Sequence, residues 1–293
     1  MAHKAGYVNI VGNPNVGKST LMNALIGERL SIITSKAQTT RHRILGIWND
    51  EDHQIVFSDT PGIIKPSYAL QKEMMTFANS ALLDADVLVL MASVKEKELK
   101  DEVFLERIQK LNIPILVVLN KIDLSDQTEV VKQIDSWMEK LPNAEVFPIS
   151  ALEKFNTEAV MNRIQELLPE GEPFFDKDAI TDRPERFFVS EIIREKILMN
   201  YQKEVPYSVE IEVESFKEEE DIIRMNAVIY VSRDSQKGII IGHKGQEIKR
   251  VGTAARYALE KFFQKKVFLE LFVKVNKDWR DDERQLKRFG YQQ

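Results

Sequence analysis

Short apolar runs alternate with amphipathic stretches through the first 168 residues of the chain. The most apolar runs cover residues 87–92 and 113–119, which is the length of a buried strand and far short of a membrane span. The stretches between the runs carry apolar residues at helical spacing. Strands that alternate with helices along a chain are typical of a mostly parallel sheet covered by helices. The first part of the chain is therefore predicted to be an α/β domain.

The pattern places six strands in this domain, at residues 7–11, 43–48, 54–58, 87–91, 115–119 and 146–148. Helices are predicted at about residues 18–26, 71–83, 97–110, 129–140 and 156–167. The second and third strands are separated only by the polar turn 49–52, which predicts an antiparallel hairpin at one edge of the sheet. Residues 28–42 are polar without a clear period and are predicted to form a long loop.

A change of pattern after residue 168 indicates a second domain. Residues 169–184 contain prolines and a glycine in an acidic, irregular stretch, so they are predicted to be a linker whose two phenylalanines pack on a domain surface. A helix at about 186–202, strands at 208–216 and 222–231, a helix up to about 263 and a strand at 267–274 follow. This α–β–β–α–β order predicts a small α+β domain. The predicted domains are thus 1–168 and 185–293.

Composition narrows the chemistry. The 293 residues include no cysteine, which excludes disulfides, thiolate nucleophiles and cysteine-bound metals. The chain has only four histidines. The net charge is −5, but residues 237–293 carry a local charge of +7, which is typical of a polyanion partner at that end. Neither a signal peptide nor a membrane span is apparent, so the cytoplasm is the predicted location.

A phosphate-binding loop follows the first strand. The residues Gly12-Asn13-Pro14-Asn15-Val16-Gly17-Lys18-Ser19 match the pattern G-x-x-x-x-G-K-[ST], and Thr20 continues into the predicted helix. Glycines allow backbone N–H groups to wrap the phosphates, and the helix N-terminus adds partial positive charge. Lys18 is expected to reach the β- and γ-phosphates, and the Ser19 hydroxyl is expected to bind Mg²⁺.

Three further motifs follow at strand ends and predict the nucleotide. In Asp59-Thr60-Pro61-Gly62, followed by Ile63, the aspartate is expected to hold Mg²⁺ through water and the Gly62 N–H to meet the γ-phosphate. In Asn120-Lys121-Ile122-Asp123, the carboxylate can accept two hydrogen bonds from guanine N1 and N2, which adenine cannot supply. In Ser150-Ala151, a backbone N–H can recognise guanine O6. The four motifs together predict GTP and Mg²⁺.

These motifs resemble those of the translation-factor-related GTPases, and the rest of the chain resembles the Era family. Four segments carry that resemblance: Lys36-Ala37-Gln38-Thr39-Thr40-Arg41-His42-Arg43, Thr181-Asp182-Arg183-Pro184-Glu185-Arg186-Phe187, Glu191-Ile192-Ile193-Arg194-Glu195 and Asp281-Asp282-Glu283-Arg284. They are similar to the family's first switch, linker, first C-terminal helix and tail. The resemblance covers essentially the whole chain and implies a phosphate-loop GTPase domain with a six-stranded sheet, followed by a type II KH domain.

The resemblance also implies roles in the switch, residues Gln38, Thr39, Thr40, Arg41 and His42. One switch threonine is expected to complete the Mg²⁺ shell with Ser19 and Asp59. Thr39 and Thr40 compete for this role, and Thr40 is favoured. In relatives with a Pro-Asn pair in the phosphate loop, the asparagine helps to hold a K⁺ ion, which makes Asn15 a candidate K⁺ ligand. The alternative is that Asn15 only hydrogen-bonds its own loop.

The sequence lacks a recognisable water-orienting residue. Ras-like GTPases have a glutamine directly after the Asp-x-x-Gly motif, whereas Ile63 at this position can neither donate nor accept a hydrogen bond through its side chain. Arg41 and Arg43 flank the switch and are the candidates for a transition-state cation in cis. We therefore expect slow turnover of GTP, on the order of 10⁻⁴–10⁻² s⁻¹. A K⁺ ion is the proposed substitute for an arginine finger, and K⁺ is therefore expected to stimulate hydrolysis.

A second glycine loop lies in the basic C-terminal part. In Gly242-His243-Lys244-Gly245, small residues would let a nucleic-acid backbone approach, and Lys249 and Arg250 follow one turn later. A lone Gly-x-x-Gly is more often a plain turn, but the preceding α–β–β order, the following amphipathic helix and the local charge favour a KH domain. Four phenylalanines could stack bases, although core positions are the more common role for such residues: Phe262, Phe263, Phe268 and Phe272. Trp279 is similarly ambiguous.

The resemblance therefore implies a slowly hydrolysing GTP switch that binds the 3′ end of 16S rRNA and assists 30S ribosomal subunit biogenesis. The expected state is a monomer with weak peripheral contact to the inner face of the cell membrane. Two alternatives stay open. One is a signalling switch whose GTP state controls docking to a membrane or protein, although no basic amphipathic helix or lipidation motif supports anchoring. The other is a KH module whose GTPase-like domain binds nucleotide without hydrolysing it.

Overall fold

The structure, a computed structural model, describes residues 2–96 and 98–292. These residues form two compact units. The first unit contains residues up to 67 and 71–182, and the second contains residues 68–70 and those from 183 onward.

The first unit is built on a sheet of six strands, in the order β2-β3-β1-β4-β5-β6. Among the described strands of this sheet, β2 alone runs antiparallel to its neighbour, β3, so the predicted mostly parallel sheet with an edge hairpin is confirmed. Every residue of β4 and β5 is buried, as expected for central strands covered on both faces. The strands are β1 (Lys4–Gly12), β2 (Ile44–Asn49), β3 (His53–Asp59), β4 (Val87–Ser93), β5 (Ile115–Asn120) and β6 (Glu145–Pro148).

Helices cover both faces of this sheet. They are α1 (Lys18–Ile26), α2 (Ala69–Ser80), α3 (Glu102–Gln109), α4 (Gln127–Lys140) and α5 (Thr157–Leu167). The helix predicted over residues 97–110 is shorter than expected, because Asp101 accepts a hydrogen bond from the Phe104 N–H and begins α3 there. Lys97, the predicted start, lies outside the described residues.

The segment that follows α5 packs on the first unit. The fully buried Gln54 holds it: Oε1 accepts from the Phe174 and Phe175 N–H groups at 2.6 and 2.9 Å, and Nε2 donates to the Phe175 carbonyl at 2.8 Å. Further along, the Ile47 N–H donates to the Ile180 carbonyl at 2.9 Å, on the open edge of β2. These contacts keep the connecting segment ordered along β2 and β3.

The second unit has a three-stranded sheet, in the order β7-β8-β9, with β7 antiparallel and β9 parallel to β8. Its apolar core lies between the sheet and helices α6 and α8, and includes Val189, Ile193, Met225, Ala227 and Val251. The elements are α6 (Glu185–Asn200), β7 (Glu210–Glu218), β8 (Ile222–Val231), α7 (Asp234–Ile241), α8 (Gln246–Phe263), β9 (Lys266–Val275) and α9 (Glu283–Arg288).

The predicted α–β–β–α–β order omitted two helices, α7 and the C-terminal α9. Residues 239–241 precede the glycine loop as the end of α7, so the loop joins two helices. The run of isoleucines resembles a strand, but Ile240 is buried whereas Ile239 is 48% exposed. The start of α7 is fixed by Gln236, whose Oε1 accepts from the Arg233 N–H at 3.1 Å. Eight residues with one buried isoleucine give too short a pattern for a helix to be predicted.

Within the described ranges, the helices include none that is long and apolar enough to cross a membrane.

Candidate functional site

The phosphate loop lies between β1 and α1, where the sequence placed it. Gly12 has φ 151° and Gly17 has φ 105°, which L side chains rarely adopt. Neighbouring atoms leave no room for a side chain at either position, which is a second reason for glycine there. A Cβ on Gly12 would lie 2.2 Å from the Met91 carbonyl oxygen, and one on Gly17 would lie 2.3 Å from Nδ2 of Asn120. The backbone can therefore curl tightly at this point.

Lys18 is held inside this curl. Its side chain is 6% exposed, and Nζ donates to the carbonyls of Gly12 at 3.1 Å and Asn13 at 2.9 Å. Burial lowers the pKa of Lys18 to about 8, although Asp59 and Glu96 act in the opposite direction. An anionic phosphate in the loop would favour the charged ammonium, so the cradle is suited to a phosphate ligand.

Three oxygen-bearing side chains from separate elements meet beside Lys18. The Ser19 hydroxyl donates to Oδ2 of Asp59 at 2.6 Å, and the Thr40 hydroxyl donates to the same oxygen at 3.2 Å. The two hydroxyl oxygens lie 3.0 Å apart. Ser19 lies in the first turn of α1, Asp59 ends β3, and Thr40 belongs to the loop before β2. The structure thus brings together the three residues predicted to surround Mg²⁺.

The side chain of Thr39, the other candidate threonine, contacts residues of its own loop. The Thr39 hydroxyl donates to the Lys36 carbonyl at 2.6 Å and lies 2.7 Å from the Thr34 hydroxyl. Of the two candidate threonines, Thr40 is therefore the one whose hydroxyl contacts Asp59.

The donor set fits a magnesium ion. Asp59 is fully buried, and its Oδ1 accepts no hydrogen bond from any described residue. Burial raises the pKa of the Asp59 carboxyl, against the lowering effect of the Lys18 ammonium. A buried carboxylate oxygen without a partner, beside two hydroxyls, is a set of hard oxygen ligands of the kind that Mg²⁺ prefers.

The motif that starts at Asn120 is fastened to the phosphate loop. Asn120 Nδ2 donates to the Val16 carbonyl at 2.7 Å, and Oδ1 accepts from the Ala151 N–H at 2.9 Å. Lys121 has φ 65°, and its Nζ donates to the Asn15 carbonyl at 2.5 Å. Hydrogen bonds therefore join three motifs that are distant in sequence into one rim.

This rim surrounds a cavity of about 450 Å³. Most of the predicted nucleotide and switch residues line it: Pro14, Asn15, Gly17, Lys18, Ser19, Thr20, Gln38, Thr39, Thr40, Gly62, Asn120, Lys121, Asp123 and Ser150. The other predicted residues lie outside the lining, and most of them are buried behind it: Gly12, Asn13, Val16, Arg41, His42, Asp59, Thr60, Pro61, Ile63, Ile122 and Ala151.

Six lining residues were missed by the sequence reasoning: Ile32, Ile33, Thr34, Ser35, Leu124 and Leu152. Leu124 and Leu152 directly follow the Asn120 and Ser150 motifs and are 54% and 75% exposed, so their position next to the motifs was the available signal. Residues 32–35 lie in a loop without a period, where the sequence gives no such signal.

The structure also answers the question of a catalytic side chain. Ile63 packs in the apolar core, and only its backbone reaches the loop, through an N–H bond to the Gly12 carbonyl at 3.0 Å. Arg43 donates to Asp84 at 2.6 Å and to Ser58 Oγ at 2.6 Å, and Arg41 is fully buried. Neither arginine lines the cavity.

Asn15 reaches out of its own loop. It has φ 64°, and its Nδ2 donates to the Ser35 carbonyl at 2.9 Å, across the cavity mouth. A carboxamide binds a cation through its oxygen, and the hydrogen bond to Ser35 uses only the Asn15 nitrogen.

In the second unit, the Gly-x-x-Gly loop has the strained backbone that glycine permits. Gly242 has φ 71° and Gly245 has φ 77°, and a Cβ on Gly242 would lie 2.5 Å from Cγ of Glu247. The predicted basic residues around the loop are exposed: His243, Lys244, Lys249 and Arg250. Arg250 also forms an ion pair with Glu247 at 2.7 Å.

A cleft of about 270 Å³ lies beside this loop, between α8 and β9. Its floor is apolar, with Ile248, Leu269 and Leu271, and Gly252 keeps it open because a side chain there would point at Leu271. The sequence analysis singled out none of these residues as part of a binding cleft.

The aromatic residues divide between core and surface. Phe263 packs on the core, and Phe262 stacks on Phe188 at 5.5 Å. Phe268 and Phe272 lie on the outer face of β9 and are 43% and 48% exposed. Trp279 is fully buried and donates to the Ser208 carbonyl at 3.0 Å, so it is a core residue.

Comparisons with known protein families match the first unit to a GTPase and the second unit to a KH domain. The family model described as 50S ribosome-binding GTPase matches residues 7–121, and the KH domain model matches residues 204–280. A variant of Aquifex aeolicus Era bound to GDP·AlF4⁻ is similar at 42% identity and a TM-score of 0.95, over 99% of this chain and 100% of that one. Era in complex with MgGDPNP and nucleotides 1506–1542 of 16S ribosomal RNA is similar at 42% identity and a TM-score of 0.94, with the same coverage.

Fold and site together define a phosphate-loop GTPase domain followed by a KH domain. The similarity to the Era structures covers almost the whole chain and therefore identifies the family. The chain belongs to the Era family of GTPases.

Proposed function

We propose that the protein is a GTP-hydrolysing switch that binds the 3′ end of 16S rRNA through its KH domain and assists biogenesis of the 30S subunit. The observation that carries the nucleotide half is the meeting of Ser19, Thr40 and Asp59 at a cavity that Asp123 also lines. The RNA half is supported by the 42% identical Era that was solved with MgGDPNP and a 16S rRNA fragment.

Each end of the cavity has its own task in this proposal. Backbone N–H groups of residues 15–20 and the Lys18 ammonium bind the phosphates. Ser19, Thr40 and Asp59, the last through water, hold Mg²⁺, which when bound neutralises charge on the phosphate oxygens. Asp123 accepts from guanine, Ser150 and Ala151 meet its O6 edge, and Asn120 and Lys121 keep these groups in register with the phosphate loop.

Slow hydrolysis follows from what the chain places near the phosphates. The buried Ile63 side chain leaves the attacking water without a side-chain partner at that position. The Gly62 N–H, at the cavity wall, is the group proposed to contact the γ-phosphate. K⁺ at the Asn15 carboxamide is the proposed substitute for an arginine, since a cation there would stabilise negative charge that develops on the phosphates.

RNA recognition is assigned to the Gly-x-x-Gly loop and the neighbouring cleft. Gly242 and Gly245 let the RNA backbone approach, and His243, Lys244, Lys249 and Arg250 supply donors and charge for the phosphates. The cleft between α8 and β9, with its apolar floor, is the surface that would receive unstacked bases.

The proposal includes the division into a GTPase domain (residues 1–168), a linker (169–184) and a KH domain (185–293). It places the protein in the cytoplasm, where it acts as a monomer. Reversible contact with the inner face of the cell membrane is a further part of the proposal, and flotation with anionic vesicles tests it.

A combined binding and turnover experiment tests the function. Purified protein is titrated with GTP and ATP in Mg²⁺, and its affinity for a 3′-terminal 16S fragment is measured with GDP, with a non-hydrolysable GTP analogue and without nucleotide. We expect GTP selectivity, phosphate release and nucleotide-dependent RNA affinity. An RNA affinity that is the same in every nucleotide state would favour a signalling switch. Tight GTP binding without phosphate release would favour the non-hydrolysing KH module.

A further inference from the structure

The side chain of Asn13 points away from the nucleotide cavity. It is 3% exposed, and all of its hydrogen bonds given by the structure go to one segment outside the phosphate loop. Nδ2 donates to Oε2 of Glu96 at 3.1 Å and to the Glu98 carbonyl at 2.9 Å, while Oδ1 accepts from the Lys100 N–H at 3.1 Å. One amide thus meets three positions of the same segment.

That segment directly follows β4, and we name its described residues, 94–96 and 98–100, the brace loop. It also touches the motif at the other end of the cavity, because the Val94 N–H donates to the Asn120 carbonyl at 3.1 Å. The brace loop therefore contacts both the phosphate loop and the residue that fastens the base-binding motifs to it.

Fixing Asn13 has a consequence inside the cavity. Its carbonyl accepts from the Lys18 ammonium at 2.9 Å, so the residue that the brace loop fixes on one side holds Lys18 on the other. Phosphate loops bind well only when their backbone N–H groups are already aimed at the ligand, because ordering them on binding costs free energy.

We propose that Asn13 is a positioning residue that fastens the phosphate loop to the brace loop, with Glu96 as its side-chain partner, and that this contact keeps the diphosphate of a bound guanine nucleotide from leaving. The inference rests on the proposed function, since it assumes that this cavity binds GDP and GTP.

The chemistry of the contact explains the residue type. An amide supplies a donor for Glu96 and an acceptor for Lys100 in one short side chain. Alanine would leave the Lys100 N–H and the Glu98 carbonyl without these bonds. Aspartate would set a second carboxylate opposite Glu96, and like charges at this distance repel.

The test is the rate at which a fluorescent GDP leaves the Mg²⁺-loaded protein. Asn13→Ala is expected to release it about tenfold faster, which corresponds to the loss of about one buried hydrogen bond in net free energy. Asn13→Asp is expected to be faster still. Adding Glu96→Gln to Asn13→Asp restores a donor opposite an acceptor and should return the rate to within about threefold of the wild type.

A phosphorus spectrum distinguishes positioning from general loosening. The β-phosphate resonance of bound GDP should move in Asn13→Ala, whereas the matched control Asp101→Ala, which removes the cap of α3 next to the brace loop, should lower thermal stability and leave both release and spectrum unchanged. If Asn13→Ala does not fold, Glu96→Ala removes the hydrogen bond to Asn13 together with a carboxylate that favours the Lys18 ammonium, and it is expected to accelerate release two- to threefold.

Wild-type release rates and an unshifted resonance in folded Asn13 variants would overturn the inference. Failure of the wild type to bind GDP at all would instead overturn the proposed function, so the two results are distinguishable.

Discussion

The Ser19 hydroxyl donates a 2.6 Å hydrogen bond to Oδ2 of Asp59, across 40 positions of sequence, and the Thr40 hydroxyl joins the same oxygen. These hydroxyls satisfy one oxygen of a buried carboxylate, and the other accepts no hydrogen bond from the part of the chain that the structure describes. A divalent cation would relieve that burial cost, since its positive charge favours the ionised carboxylate. The cluster is therefore an energetic reason for Mg²⁺ to bind at this place.

The first prediction separates the two switch threonines. Thr40→Ala and Ser19→Ala should each weaken Mg²⁺-dependent GTP binding at least about tenfold, because each removes a hydroxyl from the Asp59 cluster. Thr39→Ala is the matched control, since its hydroxyl bonds the Lys36 carbonyl instead. Titration with a fluorescent GTP analogue at several Mg²⁺ concentrations measures the effect. Equal losses in Thr39→Ala and Thr40→Ala would contradict the assignment.

The second prediction concerns the base. Asp123→Asn exchanges an acceptor for a donor opposite guanine N1–H, which should cost GTP affinity at least about tenfold and improve binding of xanthosine triphosphate. Competition between the two nucleotides on the same protein is the measurement. A variant that keeps the wild-type preference for GTP would mean that another group reads the guanine.

The third prediction tests the cation at Asn15. Replacing K⁺ by Na⁺ should slow GTP hydrolysis by the wild type but change Asn15→Ala little, because that variant has already lost the carboxamide oxygen. Single-turnover phosphate release in matched chloride salts gives both rates. Since Asn15 also bonds the Ser35 carbonyl, GTP affinity must be measured in parallel. Wild-type rates that are equal in both salts would rule out this role.

How far the sequence could predict this molecule depended on the type of signal. Buried strands such as β4 and β5 carry an uninterrupted apolar run, and phosphate-binding glycines have fixed spacing, so both could be placed from the sequence. By contrast, α7 has eight residues and one buried isoleucine, too few to distinguish a helix from a strand. The partners of Asn13 and Asn120 could not be foreseen, because hydrogen bonds between loops depend on how distant segments meet.

The fourth prediction concerns the anchor of α7. Tyr201 is 5% exposed, and its hydroxyl donates to the Ile240 carbonyl at 2.7 Å, two residues before Gly242. Tyr201→Phe should lower the free energy of unfolding by about 1 kcal/mol at neutral pH through loss of this bond. Denaturant unfolding followed by circular dichroism measures the difference.

The same pair predicts a pH dependence. Burial raises the pKa of Tyr201 to about 12 from its ordinary value of 10.0. A phenol whose folded-state pKa is raised contributes stability below pH 10, and that contribution is lost as the pH rises toward 12. The advantage of the wild type over Tyr201→Phe should therefore shrink above pH 10. An advantage that grows with pH would contradict this account.

The fifth prediction assigns RNA affinity to the glycine loop of the second unit. Gly242→Asp should abolish most RNA binding for two reasons: Gly242 has φ 71° with Glu247 only 2.5 Å from a would-be Cβ, and a carboxylate repels phosphates. Lys244→Asp changes charge alone at an exposed position, so it separates electrostatics from backbone strain. Filter binding of a 3′-terminal 16S rRNA fragment at several KCl concentrations should show weaker binding by Lys244→Asp with a shallower salt dependence, because phosphate contacts are lost.

GTP affinity should stay at the wild-type value in both variants. Lys217→Asp, on β7, is the matched control for an added negative charge elsewhere in the same unit. If Lys244→Asp and Lys217→Asp weaken RNA binding equally, only the overall charge of the unit matters, and the Gly-x-x-Gly loop is a turn without a role in recognition.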